Sequence, residues 1–469
     1  MRTPDWRPAL QVAHDAALDW LEHLPERPIR PEKSYHEMLE VFGGPVPEAG
    51  EPAERVVAML AEAAPAGLMA MNHARFFGWV IGGVMPAGVA ADWLVAAWDQ
   101  NTASGEPTPA MSAMEAVTAG WLLELLDLPR SASVAFVTGG QMANLVCLAA
   151  ARGRVLADAG WDVVADGLIG APPVTVLVGD HVHHSVGRAL RILGLGEGRA
   201  VRVATDTNAR MRVDALRAAL AAISGPTIVC AQGGEVNTGG VDPIAEIADV
   251  VAEHRRANPA WLHVDGAIGL FARTSPGLGP LLRGVERADS CSTDAHKWLN
   301  TPYDCGIAIV ADAEAHRRAM TLRADYLPGV GSARDPIDWN PEMSRRSRAA
   351  AVHATIRQLG RSGIVEIVER DCAMARRIAD GLRAVDGVEL LNEVQLNQVL
   401  VRFRDPAGVD DDAHTTTVLR RVQESGVAYP TPTTWNGRAA VRISVCNWSI
   451  EASDADLAVA ALAEAHAAT

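Results

Sequence analysis

Between about residue 120 and residue 312, short apolar runs rich in β-branched residues alternate with helix-like segments, and no other feature narrows the fold as much. The runs VTVLVGD (174–180), PTIVCAQGG (226–234), WLHVDGA (261–267) and CGIAIVAD (305–312) have strand length, and QMANLVCLAAAR and DPIAEIADVVAEHRR between them read as helices. Strands separated by helices specify βαβ units, hence an α/β fold with a mostly parallel central sheet and helices on both faces. In such sheets ligands bind beyond the carboxyl ends of the strands, so residues at strand ends are the candidates for chemistry.

The flanks differ from this core. Residues 1–75 carry helical periodicity in ALQVAHDAALDWLEHL and AERVVAMLAEA, with PERPIRPE as a proline-rich break. Residues 76–348 form the large unit, and residues 349–469 lead from a long helix into a small α+β region with strands at QVLVRF and AAVRISV. The stretch 321–348 is polar, rich in Gly, Pro and Arg, and reads as a mobile connection. The uncharged run from Phe76 to Ala91 is shorter than the roughly 18 residues of a membrane span. Four glycines and Pro86 interrupt it, so it reads as a buried loop and helix start near a pocket.

A formal charge of −15 argues against nucleic-acid or anionic-membrane surfaces, which need clustered Lys and Arg, and favours a small-molecule substrate. The six cysteines (Cys147, Cys230, Cys291, Cys305, Cys372, Cys446) lie far apart without a C-x-x-C pair, which fits a reducing cytoplasm better than a disulfide framework. The N-terminus has scattered charges and no apolar core of a signal peptide.

Four stretches fall at predicted strand ends. VTGGQMAN ends a strand and opens a helix; Gly139, Gly140 and Gln141 there can present backbone N–H groups to a phosphate at the positive helix end. No Lys-Ser/Thr pair follows, so it is not a Walker A loop. HVDGAIG places Asp265 at the end of an apolar strand, where a carboxylate is costly unless it meets a cation or a donor. DHVHHSVGRA offers His181, His183 and His184, readable as a zinc-hydrolase cluster or as an imidazole stacking on a planar cofactor. STDAHKWLN holds Lys297 between His296 and Trp298, where desolvation and a neighbouring cation would free the amine as a nucleophile. An aldehyde cofactor with a phosphate and a pyridine nitrogen uses all four together. A non-enzymatic binding protein on the same scaffold would leave Lys297 dispensable.

With these residues in view, DSCSTDAHKWLNTPYDCG, HVDGAIG, VTGGQMANLVCLAAAR, DHVHHSVGRALRILGLG and GGVDPIAEIADV together resemble the pyridoxal 5′-phosphate (PLP)-dependent group II amino-acid decarboxylases, the aromatic-L-amino-acid and glutamate decarboxylase family of fold type I. The similarity runs from ERPIRPE through NHARFFGWVIGG to TTWNGRAAVRISVCNW. It implies a homodimeric lyase that decarboxylates an L-amino acid with an aromatic or large apolar side chain. It further implies that Lys297 forms the Schiff base with the cofactor aldehyde, Asp265 pairs the pyridine nitrogen, Ala267 packs on one ring face and His183 on the other. Gly140, Gln141 and His296 would surround the phosphate, and Tyr326 would be a mobile-loop proton donor. Phe76, Phe77 and Trp79 read by residue type as core, while the resemblance places them near the substrate side chain, with Phe77 and Trp79 as pocket walls and Trp79 the preferred one. Arg345, Arg346 and Arg348 read as a solvated helix start, while the resemblance puts an arginine pair here beside the site across a subunit boundary.

Some positions depart from the family pattern. Gln141 replaces a hydroxyl residue, Glu235 and Val236 replace a Thr-Thr pair beneath the cofactor, Gly266 replaces a common alanine, and the loop from Tyr326 to Trp339 is short. The Glu235 and Val236 changes keep an aldehyde synthase, or another carbon–carbon lyase, in view. Glu106 near the expected mouth could select a cationic side chain instead.

Overall fold

The alternation becomes a seven-stranded sheet in the computed structural model, which describes residues 5–321 and 334–469. Its strands are β1 (Ser133–Val137), β2 (Thr175–Gly179), β3 (Val201–Val203), β4 (Thr227–Gln232), β5 (Ala260–Asp265), β6 (Ser290–Asp294) and β7 (Gly306–Val310), in the spatial order β1-β7-β6-β5-β4-β2-β3. β3, β2, β4, β5 and β6 pair in parallel, whereas β7 is antiparallel to both of its neighbours.

Side-chain alternation sorts the strands onto two cores. Val134, Phe136, Leu177, Val229, Leu262, Val264 and Ile307 belong to one. Ala135, Val176, Ile228, Trp261 and Ala308 belong to the other, with Val146 and Leu190 from the covering helices. Because Trp261 faces this second core, the alternation also turns His263 and Asp265 that way; Cys291 faces the first core, so Ser290, Ser292 and Asp294 turn with them. The polar residues at the ends of β5 and β6 therefore meet the helix Gly140–Asp158, which opens directly after β1.

Residues 7–63 form three helices, α1 (Arg7–Glu22), α2 (Tyr35–Phe42) and α3 (Ala53–Ala63), none of which has a buried residue. α4 (Pro86–Trp98) and α5 (Pro109–Leu125) precede the sheet, and α6 (Gly140–Asp158), α7 (Val163–Asp166), α8 (His184–Ile192), α9 (Val213–Ala221), α10 (Ile244–His254) and α11 (Ala313–Met320) accompany its strands. α12 (Arg348–Arg383) is interrupted at Gly360, whose φ of 61° lies in the left-handed region. Its Val352 and Ile356 join the large core, while Ile378 and Leu382 join a third core in the C-terminal region. The expected boundary at 348/349 thus falls at the start of a helix that two cores share. The C-terminal sheet, β8 (Val388–Leu390), β9 (Gln398–Phe403), β10 (Thr431–Trp435) and β11 (Arg438–Ser444), is antiparallel in the order β10-β11-β9-β8, and α13 (Asp411–Ser425) and α14 (Ala452–Ala467) pack with it. Among the described residues no helix is long and apolar enough to cross a membrane.

Candidate active site

A cavity at the carboxyl ends of β4, β5 and β6 brings together Gly140, Gln141, His183, Asp265, Ala267 and Lys297, all expected from the sequence. His296 is not among its lining residues. It sits behind Lys297, buried, with its ring stacked on Tyr303 at 4.2 Å and 24°, and burial holds its pKa below the ordinary value. Tyr326 lies outside the described residues.

Asp265 is held by a continuous chain of hydrogen bonds whose donors can be followed residue by residue. The Trp261 indole donates to Ser290 Oγ at 2.9 Å, which leaves the Ser290 hydroxyl proton for His263 Nδ1, also at 2.9 Å. His263 is then the neutral tautomer with its proton on Nε2, donating to Asn144 Oδ1 at 2.9 Å. Burial keeps it neutral, lowering its pKa to about 4. Asn144 in turn donates to Asp265 Oδ2 at 2.9 Å and to Ser185 Oγ at 3.0 Å, and the Ser185 hydroxyl faces His183 Nδ1 at 2.7 Å. The backbone N–H of Ala267 donates to Asp265 Oδ1 at 3.1 Å. The donors to Asp265 in this chain are neutral, so its negative charge stays available to a cation in the cavity. His183 caps α8, its Nδ1 accepting from Ser185 N, and burial lowers its pKa.

At the opposite end Lys297 Nζ lies 3.0 Å from Asp294 Oδ2, in side chains only 15% and 4% exposed. The turn after β6 is fastened by Asn300, which accepts from Gly83 N at 2.6 Å and Trp448 N at 3.1 Å and donates to the Trp298 carbonyl at 2.9 Å. Gly82 N donates to the His296 carbonyl at 3.0 Å, and a Cβ on Gly82 would lie 2.1 Å from the Lys297 carbonyl oxygen. The uncharged run from Phe76 therefore needs its glycine to lie flat against the lysine turn. Gln141 and Arg188 flank the start of α6, the guanidinium donating to Gln141 Oε1 at 3.0 Å.

Other expected residues fall elsewhere. Phe77 is buried in the C-terminal core, because its N–H donates to the Tyr429 carbonyl and its own carbonyl accepts from Ser444 N. Trp79 is 49% exposed, packed near Phe76 and Tyr429, and neither it nor Phe77 lines the cavity. Arg345 is fully buried inside its own chain against Glu115 at 2.9 Å, while Arg346 pairs with Asp92 at 2.6 Å and Arg348 with Asp304 at 2.8 Å. Glu235 turns away from the cavity to accept from Asn237 N and Thr238 N, whereas Val236 lines it. Glu106 is exposed. His181 stacks on Trp435 at 4.5 Å, and among the described residues no three His, Cys, Asp or Glu side chains gather to hold a metal.

Sequence reading missed Asn144, Arg188, Asp294 and Asn300, although all four stand in or beside stretches singled out above. It also missed Arg442 of β11, whose Nε is buried without a partner and whose charge is felt at His183.

An amine, a carboxylate with charge to spare, an imidazole and a small side chain for the two faces of a ring, and a glycine-opened helix N-terminus converge in one cavity, and this donor set fits pyridoxal phosphate. Fold and site define a pyridoxal phosphate enzyme of the α/β class. Residues 36–404 match the model of the pyridoxal-dependent decarboxylase conserved domain, and the chain belongs to that family. It is a PLP-dependent amino-acid decarboxylase by family. Among curated relatives, an L-2,4-diaminobutyrate decarboxylase of Rhizobium meliloti (strain 1021) is 28% identical over 86% of this chain and 80% of its own length. A 4-hydroxyphenylacetaldehyde synthase of Rhodiola rosea is 27% identical over 88% and 85%. The crystal structure of Oryza sativa TDC with PLP and tryptamine superposes with a TM-score of 0.90 at 25% identity, covering 98% of this chain and 97% of that one.

Proposed function

We propose that the enzyme converts an L-amino acid with an aromatic or large apolar side chain to its amine and carbon dioxide, as a cytoplasmic homodimer. The observation that carries the reaction is the Asp265 chain, which presents a buried carboxylate fed by neutral donors to the far end of the lysine cavity. Pyridoxal phosphate supplies the electron sink for the bond to the departing carboxylate. Asp265 holds a proton at the ring nitrogen, because a buried anion favours the charged form. Lys297 is the amine that would hold the cofactor through its aldehyde carbon. His183 and Ala267 would cover the ring, and the N–H groups at the start of α6, with Gln141 and Arg188, would hold the phosphate. Tyr326 delivers the proton to the product carbon.

Val236 and Ile268, apolar side chains in the cavity wall, support the apolar substrate class. Support for the dimer comes from the apolar surface on α1–α4: Trp6 is 70% exposed and Tyr35 73%, with Leu10, Leu39, Trp93 and Trp98 also exposed. The six cysteines are all free and buried, in keeping with a reducing compartment. A screen of the twenty amino acids and 2,4-diaminobutyrate for carbon dioxide release tests the reading, with an aromatic amino acid expected to lead.

A second reading, oxidative decarboxylation to an aldehyde, is favoured by the likeness to the aldehyde synthase and by Val236 in the cavity wall. It would consume oxygen and release ammonia and peroxide in proportion to carbon dioxide. Tyr326→Phe is expected to move product from amine towards aldehyde. Mixed with Lys297→Ala, it should regain up to about a quarter of wild-type activity if the donor crosses between subunits; proven exchange without recovery would place it in its own chain.

A further inference from the structure

The cavity holds a second carboxylate to which the reaction above gives no task. Asp294 and Asp265 end neighbouring parallel strands and face the same helix, yet they are wired differently. Asp265 is satisfied by Asn144 and Ala267, while Asp294 Oδ2 meets Lys297 Nζ at 3.0 Å and Oδ1 is buried with no hydrogen-bond partner, 3.7 Å from His296 Nε2. Gly140 makes the room, since a Cβ there would lie 2.6 Å from Asp294 Oδ2. A buried anion against the first residue of α6 opposes a phosphate arriving at that helix end unless a cation matches it. Lys297 is placed to match it.

We propose that Asp294 is the counter-ion of Lys297, keeping the lysine nitrogen protonated and aimed into the cavity both while it is bonded to the cofactor's aldehyde carbon and after the substrate amine has displaced it. This rests on the reading of the site as a pyridoxal phosphate site. The role needs no net transfer, because the proton stays shared between Nζ and Oδ2, and it is separate from that of Asp265 at the ring nitrogen. The titratable and charged groups around the pair are His296, Tyr303, Cys305 and Cys446, with His183 and Arg188 from α8 and its cap and Asp265 from β5. Burial lowers the pKa of His296 and raises those of Tyr303 and both thiols, so these four are neutral at pH 7.

The test is a pH titration of the visible absorption that the holoenzyme acquires on bonding to Lys297, in wild type and in Asp294→Asn. An opposite charge at this range raises the pKa of a nitrogen cation, so the midpoint for proton loss is expected to fall by about 1 to 3 pH units in the variant. An unchanged midpoint overturns the proposal, whereas no chromophore in the wild type overturns the cofactor reading instead. Equilibrium dialysis with pyridoxal phosphate gives a second, activity-free readout. Lys297→Ala leaves Asp294 unmatched beside the phosphate, so Lys297→Ala/Asp294→Asn should bind about tenfold more tightly than Lys297→Ala, the equivalent of one pH unit of charge interaction. Equal affinities would show that the carboxylate's charge is not felt there.

Discussion

The two ends of the cavity are built on opposite principles. At the Asp265 end, seven side chains from β5, β6, α6 and α8 are joined in one hydrogen-bonded chain from Trp261 to His183, and none of them has a buried polar atom without a partner. At the Lys297 end, Asp294 Oδ1 and Thr301 Oγ1 are buried and unpartnered, and the lysine is paired with the carboxylate of Asp294. A satisfied buried network fixes geometry and protonation, whereas a buried polar atom without a partner is left to meet an incoming group. On the proposed reading the difference matches the tasks: the Asp265 end would be a fixed electrostatic wall, and the Lys297 end the place where bonds are made and broken.

If that division holds, substitutions at the two ends fail differently. Lys297→Ala should lower turnover by about 10⁴-fold or more, because no other amine replaces the nucleophile, while far-ultraviolet circular dichroism stays unchanged. Asp265→Asn should keep the cofactor bound but cost about two to three orders of magnitude in turnover, the effect of removing one side of a buried charge pair. Near-normal kcat in that variant would erase the distinction between the two ends.

The wall should also be the acid-sensitive part. His263 takes a proton near pH 4 in the folded chain, against 6.5 when unconstrained, so between these values the unfolded state binds more protons. Stability is therefore lost as pH falls from 6.5 towards 4, by roughly 3 kcal/mol from this residue at the lower limit. Denaturant melts at pH 7 and pH 5 would measure the slope, and His263→Asn should flatten it. The smallest effect is expected from Ser292→Ala, which removes one of the two donors to Asn144 Oδ1 and leaves the other, costing about 1 kcal/mol with little change in kcat.

What could be read from the sequence follows the range of the interactions. Strand-to-helix alternation is local, and it located the sheet, the helix that opens at Gly140 and the strand-end positions of Asp265 and the Lys297 turn. Asp294 and Asn144 stood inside the quoted stretches, but Asn144 is oriented by His263, 119 residues away, and donates directly to Asp265, pairings that leave no local trace. The resemblance set Arg345 across a subunit boundary, whereas the structure buries it against Glu115, 230 residues earlier in its own chain. The resemblance placed Phe77 near the substrate, whereas its residue type read as core; backbone pairing with Tyr429 and Ser444 turns it into the C-terminal core.

The central claim is that Lys297 is the residue at which the cofactor is bonded. Borohydride reduction of the purified holoenzyme, followed by proteolysis and mass mapping, tests it most directly. The account predicts one pyridoxyl group per chain on the peptide containing Ala295-His296-Lys297-Trp298, with the label lost in Lys297→Ala. A pyridoxyl group on Lys33, or none on any peptide, would contradict it.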